Sequence, residues 1–254
     1  GDDGVTGGWD DAERAVHVVS RGVVGHVVGV FFLMIRRPPR SPLFPSTTLF
    51  RSPEVLLEAI AVLEQRQQQD QSASDSDLIL SNVNDLFSDG YSFVGGNPDG
   101  DITMVEFLDY RCTFCRRAHP EVAELIATDG NIRYIIKEFP ILGDQSVLAS
   151  RFAMSVLNNA GPEFYAELHG TLMTFRGSFT LAALERLSDE MGLDTALIMA
   201  GMDAEPITTM INRNRALAQR MQITGTPGFI MGDQVIRGYV PLGDMQQIVA
   251  TLRQ

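Results

Sequence analysis

The sequence of 254 residues contains little cysteine and no long hydrophobic run. Its two cysteines, Cys112 and Cys115, lie three positions apart and cannot join distant segments, which excludes a small domain held together by disulfides. The apolar run at residues 23–35 is shorter than the ~20 residues that a membrane-spanning helix needs. The hydrophobic fraction of 44% is nevertheless sufficient for a folded core.

Positive charge is also scarce. Twenty Lys and Arg stand against 32 Asp and Glu, so the net charge is −12, and Lys137 is the single lysine. A protein that neutralises nucleic-acid phosphates or binds anionic lipid needs the opposite balance. We therefore expect no nucleic-acid partner.

The first 52 residues differ from the rest. Residues 31–52 closely resemble the translation of a sequencing adapter, and the prolines and arginines between residues 36 and 52 leave no usable hydrophobic period. No small-residue cleavage site follows the apolar run, so a secretory signal is not visible. We expect residues 1–52 to be an artefact or a disordered leader. Residues 53–254 alone carry 14 basic and 27 acidic residues, a net charge of −13.

Residues 53–95 read as a helical arm. The apolar residues from 55 to 63 recur at helical spacing, and Pro53 suits a first turn. Residues 64–77 are polar and form either a helical extension or a flexible joint. A second apolar cluster reaches Phe87, and turn formers at residues 95–100 end the linker. Short helices cannot bury their apolar stripes alone, so residues 53–88 either pack on the main domain or form a homo-oligomer.

The turn at residues 97–101 has some features of a calcium loop. Asn97, Asp99 and Asp101 alternate as such ligands do, but Pro98 intervenes and no glutamate closes the loop. We expect a turn without metal.

Residues 96–254 predict a mixed α/β domain. A β-rich run at 102–108, a helix at 113–127 and a second strand at 132–139 form a βαβ unit with parallel strands. Residues 144–221 are helical in period. Strands at 228–231 and 235–238 then pair antiparallel around Gly232 and Asp233, and a final helix spans about 242–252.

The two cysteines form a CxxC that follows a strand and opens a helix. A thiolate there interacts with unpaired amides and the positive end of the helix dipole, which lower its pKa from ~8.5. Cys112 is the expected nucleophile and Cys115 the resolving thiol. Zinc would need four ligands, and even with His119 the set is incomplete, so we expect no metal.

The runs EFLDYRCTFCRRAHPE, KEFPIL and GTPGFI resemble the DsbA-like thioredoxin-fold oxidoreductases, in particular the ScsC-like group with a helical segment before its catalytic domain. The resemblance covers about residues 53–254. It implies a thioredoxin fold with a helical insertion at about 144–221, and a periplasmic location. It also implies cysteine-containing client proteins, a membrane or periplasmic thiol redox partner, and no cofactor other than a redox-active disulfide between the two cysteines.

The resemblance also assigns roles outside the CxxC. It implies that Pro227 is cis and lies against the cysteines, that Thr226 pairs with an incoming substrate and tunes the thiolate, and that Glu106 relays protons to the resolving thiol. Lys137 is expected to pair with Glu106 or Glu138. Phe114 replaces the histidine of strongly oxidising members, so a weaker oxidant is expected.

These observations predict a thiol-disulfide oxidoreductase that acts through a mixed disulfide at Cys112, most simply an oligomeric disulfide isomerase or reductase. One alternative is a monomeric dithiol oxidase of the DsbA type. Another is a thioredoxin-fold chaperone or copper-binding module, because soft thiolates suit Cu(I).

Overall fold

The computed structural model describes residues 53–254. The adapter-like segment and the apolar run at residues 23–35 lie outside the described residues. Five strands form one sheet in the order β1-β3-β2-β4-β5. They are β1 (Phe93–Gly96), β2 (Ile102–Leu108), β3 (Ile132–Glu138), β4 (Gly228–Met231) and β5 (Gln234–Arg237).

Two connections place the strands as predicted. The chain runs from β2 through a helix to β3, and these two strands pair in parallel, with Glu106 opposite Ile136. Strand β4 then pairs antiparallel with β2, and β5 pairs antiparallel with β4 through the turn at Gly232, whose φ is +61°. Strand β2 is therefore central, with β3 on one side and β4 on the other.

The helices follow the expected order with one addition. Helix α3 joins β2 to β3, α4 to α8 form the insertion, and α9 closes the chain. The short α7 between Gly192 and Pro206 was not expected. The helices are α1 (Pro53–Ser81), α2 (Val83–Phe87), α3 (Thr113–Asp129), α4 (Asp144–Ala160), α5 (Pro162–Thr174), α6 (Leu181–Glu190), α7 (Thr195–Gly201), α8 (Glu205–Arg220) and α9 (Leu242–Leu252).

Helix α1 is one continuous helix of 29 residues, so the polar stretch 64–77 is the helical extension and not a joint. Its carboxyl-terminal end is anchored: Ile79 is buried, and Asp75 forms an ion pair with Arg237 of β5 at 2.8 Å. Residues 53–74 are exposed throughout, including several large apolar side chains. Exposed apolar residues on α1 are Val55, Leu56, Leu57, Ile60, Val62, Leu63 and Leu80.

Strand β1 differs from the expected linker. Residues 93–96 pair antiparallel with β3, and Gly96 adopts a φ of +66° where an added Cβ would lie 2.3 Å from the carbonyl oxygen of Ile132. Beyond it the predicted turn forms, because the Asn97 side chain accepts a hydrogen bond from the Asp99 amide at 3.1 Å and Asp101 pairs with Arg253. Glycines that signal a turn in the sequence here end an edge strand.

Helices cover both faces of the sheet. Side chains of α3, α4, α5 and α9 share one core with Met104, Leu108, Tyr134 and Ile136, whereas α1, α2 and α8 pack on the opposite face. Both central strands therefore bury side chains of either parity, including charged ones. No helix between residues 53 and 254 combines the length and hydropathy needed to cross a membrane.

Candidate active site at the carboxyl end of β2

A tight loop carries the chain from β2 into α3 and places the first cysteine at the helix start. The buried carboxylate of Asp109 accepts hydrogen bonds from the amides of Arg111 at 2.8 Å, Ile141 at 2.8 Å and Leu142 at 3.0 Å. It thereby ties this loop to the loop after β3. Cys112 follows as the N-cap of α3, with both cysteines in the free thiol form.

The Cys112 sulfur has the environment of a stabilised thiolate. Its pKa falls from 9.0 to about 5, first because of the hydrogen bond with the Cys115 thiol and then because of Thr226 and the amides of Cys115 and Phe114. Burial opposes this shift but does not cancel it. At neutral pH the nucleophilic form of Cys112 therefore dominates.

Cys115 has the opposite environment one turn further into α3. Its side chain is fully buried, and burial raises its pKa far above the ordinary value, with further contributions from the Cys112 hydrogen bond and the charge of Glu106. The two thiols thus differ strongly in acidity. Cys115 can attack only after a base has removed its proton.

The loop before β4 closes the site. The Thr226–Pro227 peptide bond is cis, as the resemblance implies, and the Cys112 sulfur lies 3.1 Å from the Thr226 carbonyl oxygen, to which the protonated thiol donates. The structure therefore brings together residues that are 114 positions apart in the chain. A carbonyl turned towards the sulfur is available to a polypeptide that reaches it.

Glu106 is buried on β2, on the sheet face that also carries Tyr134. The Tyr134 hydroxyl donates a short hydrogen bond to Glu106 Oε2, while Oε1 is buried without a partner among the described residues. Burial raises the Glu106 pKa to about 7, and the Cys112 charge adds to the increase. A carboxyl group with this pKa can both accept and release a proton at neutral pH.

Lys137 pairs with neither expected glutamate. Its ammonium group contacts Asp89 at 2.6 Å and the Asp85 carbonyl at 2.7 Å. The reason is strand alternation: Lys137 lies opposite Phe107 in the parallel register, so its side chain enters the core on the other face of the sheet from Glu106 and Glu138.

The second buried carboxylate, Glu138, has a complete set of donors. Tyr110 and Tyr165 donate to Oε1 at 2.7 and 2.6 Å, and Ser150 donates to Oε2 at 2.7 Å. Burial raises its pKa to about 7 as well. Neither this cluster nor the contact between Tyr134 and Glu106 was identified from the sequence, because only the tertiary fold brings these residues together.

His119 of α3 lies beside a second histidine, His169 of α5. The His119 ring lies 5.0 Å from that of His169, and burial lowers the pKa of both, that of His169 to about 3. Within residues 53–254, no group of three or more His, Cys, Asp and Glu is gathered as metal ligands would be. The zinc set considered from the sequence is thus not assembled.

A family profile described as Thioredoxin matches residues 88–251, and the chain belongs to this family. Solved structures place it with the DsbA-like members. It is 38% identical to a thioredoxin-like oxidoreductase of Silicibacter pomeroyi (TM-score 0.63, covering 67% of this chain and 96% of that one). It is 27% identical to α-DsbA2 of Wolbachia pipientis (0.67, 72% and 98%) and 26% identical to Proteus mirabilis ScsC (0.63, 78% and 88%).

Curated relatives include much longer proteins. The Na⁺/H⁺ antiporter NhaA 3 of Salinispora tropica is 25% identical over 138 residues, which cover 54% of this chain and 21% of the antiporter. A second antiporter, from Salinispora arenicola, matches over the same share of its length. The chain thus spans about a fifth of the length of these relatives.

Proposed function

We propose that the protein is a thiol-disulfide oxidoreductase that acts on protein disulfides, with Cys112 as the nucleophile and Cys115 as the resolving thiol. The observation that carries this proposal is the division of acidity between the two sulfurs, with the pKa of Cys112 near 5 and that of Cys115 raised. In such a pair Cys112 is a thiolate at neutral pH, and Cys115 keeps its proton until the resolving step. The disulfide between them is the only redox group that the reaction needs.

The proposed reaction balances without a further reactant. The Cys112 thiolate attacks one sulfur of a client disulfide; a mixed disulfide forms, the client S–S bond breaks, and the departing client thiolate takes up a proton. Cys115 then loses its proton and attacks Cys112, which forms the internal disulfide and releases the second client thiol. Two electrons pass to the client. In isomerisation the reaction goes only as far as the mixed disulfide. Another client thiol then attacks the client sulfur of that bond, so that a new client disulfide forms and Cys112 leaves as a thiolate.

Three other residues have proposed roles in these steps. The Thr226 carbonyl binds the client backbone and its side chain stabilises the thiolate, while the cis Pro227 holds that segment against the sulfur. Glu106 receives the Cys115 proton, which its buried, unpaired Oε1 and its pKa of about 7 support. Glu106 is thus a proton relay with no direct client contact.

Activity tests the core of this proposal. The reduced full-length chain should reduce insulin and reshuffle a scrambled disulfide substrate, and Cys112→Ala should abolish both, by roughly 10³-fold or more, because no other thiolate is available. Ser150→Ala, a matched loss of one buried oxygen away from the thiols, should retain both activities. Equal rates for the parent and Cys112→Ala would refute the proposal.

We further propose that the arm makes the protein an oligomer, so that several active sites face one misfolded client and favour isomerisation over oxidation. The support is the row of exposed apolar side chains on residues 53–74, which a monomer leaves in water. Leu56, Ile60 and Leu63 lie on one stripe at spacings of four and three.

Sedimentation distinguishes the oligomer from a monomeric oxidase. Leu56→Glu with Leu63→Glu should reduce the mass to that of one chain and diminish reshuffling more than insulin reduction. Arg66→Glu changes charge on the same helix without removing an apolar group and should leave the mass unchanged. A monomeric parent would remove the isomerase argument.

The setting follows from the same proposal. Its partners are cysteine-containing clients and a membrane or periplasmic thiol protein that resets the CxxC. We infer an extracytoplasmic, periplasmic location, because disulfide exchange on clients persists in oxidising compartments. Periplasmic recovery of the chain expressed behind a cleavable secretion signal, with Cys112 and Cys115 cycling between dithiol and disulfide, tests this setting.

A further inference from the structure

Six of the 14 basic residues in residues 53–254 form ion pairs with carboxylates across the fold. These residues are Lys137, Arg151, Arg213, Arg220, Arg237 and Arg253.

Among the other basic residues, four arginines lie beside the CxxC. Arg111 precedes Cys112, Arg116 and Arg117 follow Cys115, and Arg176 follows α5. None of the four forms an ion pair with a carboxylate of the described residues. Arg111, Arg117 and Arg176 are exposed, so these charges face solvent in a chain that is otherwise strongly acidic.

Arg116 fixes the geometry of this group. Its guanidinium donates to the Tyr110 carbonyl at 2.7 Å and to the Phe175 carbonyl at 2.9 Å, which holds the loop after α5 against the start of α3. Burial and the charges of Arg176 and Arg111 lower its pKa. Arg111 and Arg176 directly follow the two residues whose carbonyls Arg116 binds, so the three guanidinium groups lie on one side of the site. The charge of Asp109 offsets part of their mutual repulsion at Arg116.

The fourth arginine lies over an aromatic surface on the other side of the cysteines. The Arg117 guanidinium is 4.2 Å from the centre of the Tyr239 ring, and the exposed Phe114 ring lies 6.5 Å from it. Exposed arginines therefore precede and follow the two cysteines in the chain. The Glu121 carboxylate, which accepts from the Tyr239 hydroxyl, is the acidic group at the Arg117 end.

We propose that these four arginines form an electropositive rim that selects clients whose reactive cysteine is flanked by aspartate or glutamate. The inference rests on the proposed exchange activity and specifies its substrate class. Carboxylates of the client would neutralise charges that the fold leaves unpaired, and desolvation of the rim during docking would strengthen these contacts. The acidity of the remaining surface would also disfavour docking of such clients elsewhere.

Matched peptides test the selection. Three peptides of one length, each with a single cysteine as its 2-thiopyridyl disulfide, carry Glu, Gln or Lys at the two positions on either side. The release of thiopyridine by an excess of the reduced full chain then reports the second-order rate constant of a single attack by Cys112 on each peptide. We expect the Glu peptide to exceed the Lys peptide by about tenfold at low salt, and the ratio to fall towards one at about 0.5 M NaCl because of screening.

Variants locate the effect. Arg111→Gln with Arg176→Gln should lower the second-order rate constant for the Glu peptide by about three- to tenfold and leave that for the Gln peptide within about twofold. Arg186→Gln, an exposed arginine of α6, which packs on α4 and α7, controls for net charge and should change neither rate. The Gln peptide also shows whether the thiolate itself is altered.

The outcomes separate the two levels of inference. If no peptide releases thiopyridine, the proposed exchange activity fails. If all three react equally, or the double variant slows every peptide alike, the activity stands and the rim inference is overturned. A loss confined to glutathione disulfide, with peptide rates unchanged, would also overturn it, because the rim would then serve a small anionic disulfide.

Discussion

Two buried carboxylates on one face of the sheet have similar pKa values but different hydrogen-bond partners. Glu106 and Glu138 both have a pKa near 7, because both are removed from water. Glu138 accepts hydrogen bonds from three hydroxyl groups, whereas Glu106 accepts one and keeps an unpaired oxygen near the thiols. A raised pKa alone therefore does not identify a proton relay. The unpaired Oε1 of Glu106 beside the thiols is the observation that supports the proposed relay.

The largest expected effect concerns the satisfied carboxylate. Glu138→Ala leaves the buried hydroxyls of Tyr110 and Tyr165 without their acceptor and should lower the free energy of unfolding by about 4 kcal/mol. Urea denaturation measures this loss. Glu138→Gln keeps an acceptor oxygen and should lose about half as much. The folded fraction should retain exchange rates within about twofold, and a loss of activity without a loss of stability would reverse the roles assigned to the two glutamates.

The pH dependence of stability should treat the two carboxyls alike. Each has a folded pKa above its ordinary value of 4.5, so the folded state holds a proton that the unfolded chain has released. This contribution is complete below about pH 4.5 and is lost as the pH rises through 7. Relative to Glu106→Gln, the reduced parent should lose about 3 kcal/mol between pH 4.5 and 8. Parallel profiles would show that Glu106 is not buried as a neutral acid.

Kinetics should distinguish the two carboxyls. Glu106→Gln removes the proton acceptor for Cys115 and should slow resolution of the mixed disulfide by about 10- to 100-fold at pH 7, with attack by Cys112 little changed. Stopped-flow release of the second client thiol separates the two steps. Glu138→Gln is the matched control and should resolve at the parental rate. Equal slowing of both steps would indicate a structural role for Glu106.

The smallest effect is expected at the loop before β4. Thr226→Val removes one hydrogen bond to the Cys112 thiolate and should raise its pKa by about one unit from about 5. Ultraviolet absorbance of the thiolate across pH measures the shift. Thr224→Val, at an exposed position two residues earlier, should leave the titration unchanged. An unchanged pKa in Thr226→Val would assign thiolate stabilisation to Cys115 and the amides alone.

Local sequence signals predicted most of the elements. The bounds of β2 and β4 match the predictions, and those of α9 agree, because each combines a clear period with flanking turn formers. Residues 64–77 were ambiguous, since glutamine- and alanine-rich polar stretches suit both a helix and a joint. Strand β1 was missed because its glycines resemble a turn until a partner strand is present.

The candidate site was only partly predictable. The CxxC was identified from its spacing and position, whereas Thr226, Pro227 and Glu106 were identified through the resemblance. The fold places Cys112 against Thr226, and Glu106 near the thiols. The predicted partner of Lys137 was wrong, and the role of Tyr134 as the donor to Glu106 was not predicted. Both depend on which face of the sheet a side chain enters, and a one-residue change in register would reverse that assignment.

The sequence by itself determined the order of the helices and strands apart from β1 and α7, the net negative charge of the chain, and the spacing that puts one cysteine at a helix start and the other one turn inside. Only the tertiary structure decided which groups surround those sulfurs. The pKa of each thiol depends on burial, charge and hydrogen bonds from segments up to 114 residues away. These contacts form only when the parallel and antiparallel strands pair in one register. The same packing left four arginines beside the cysteines without an ion pair among the described residues.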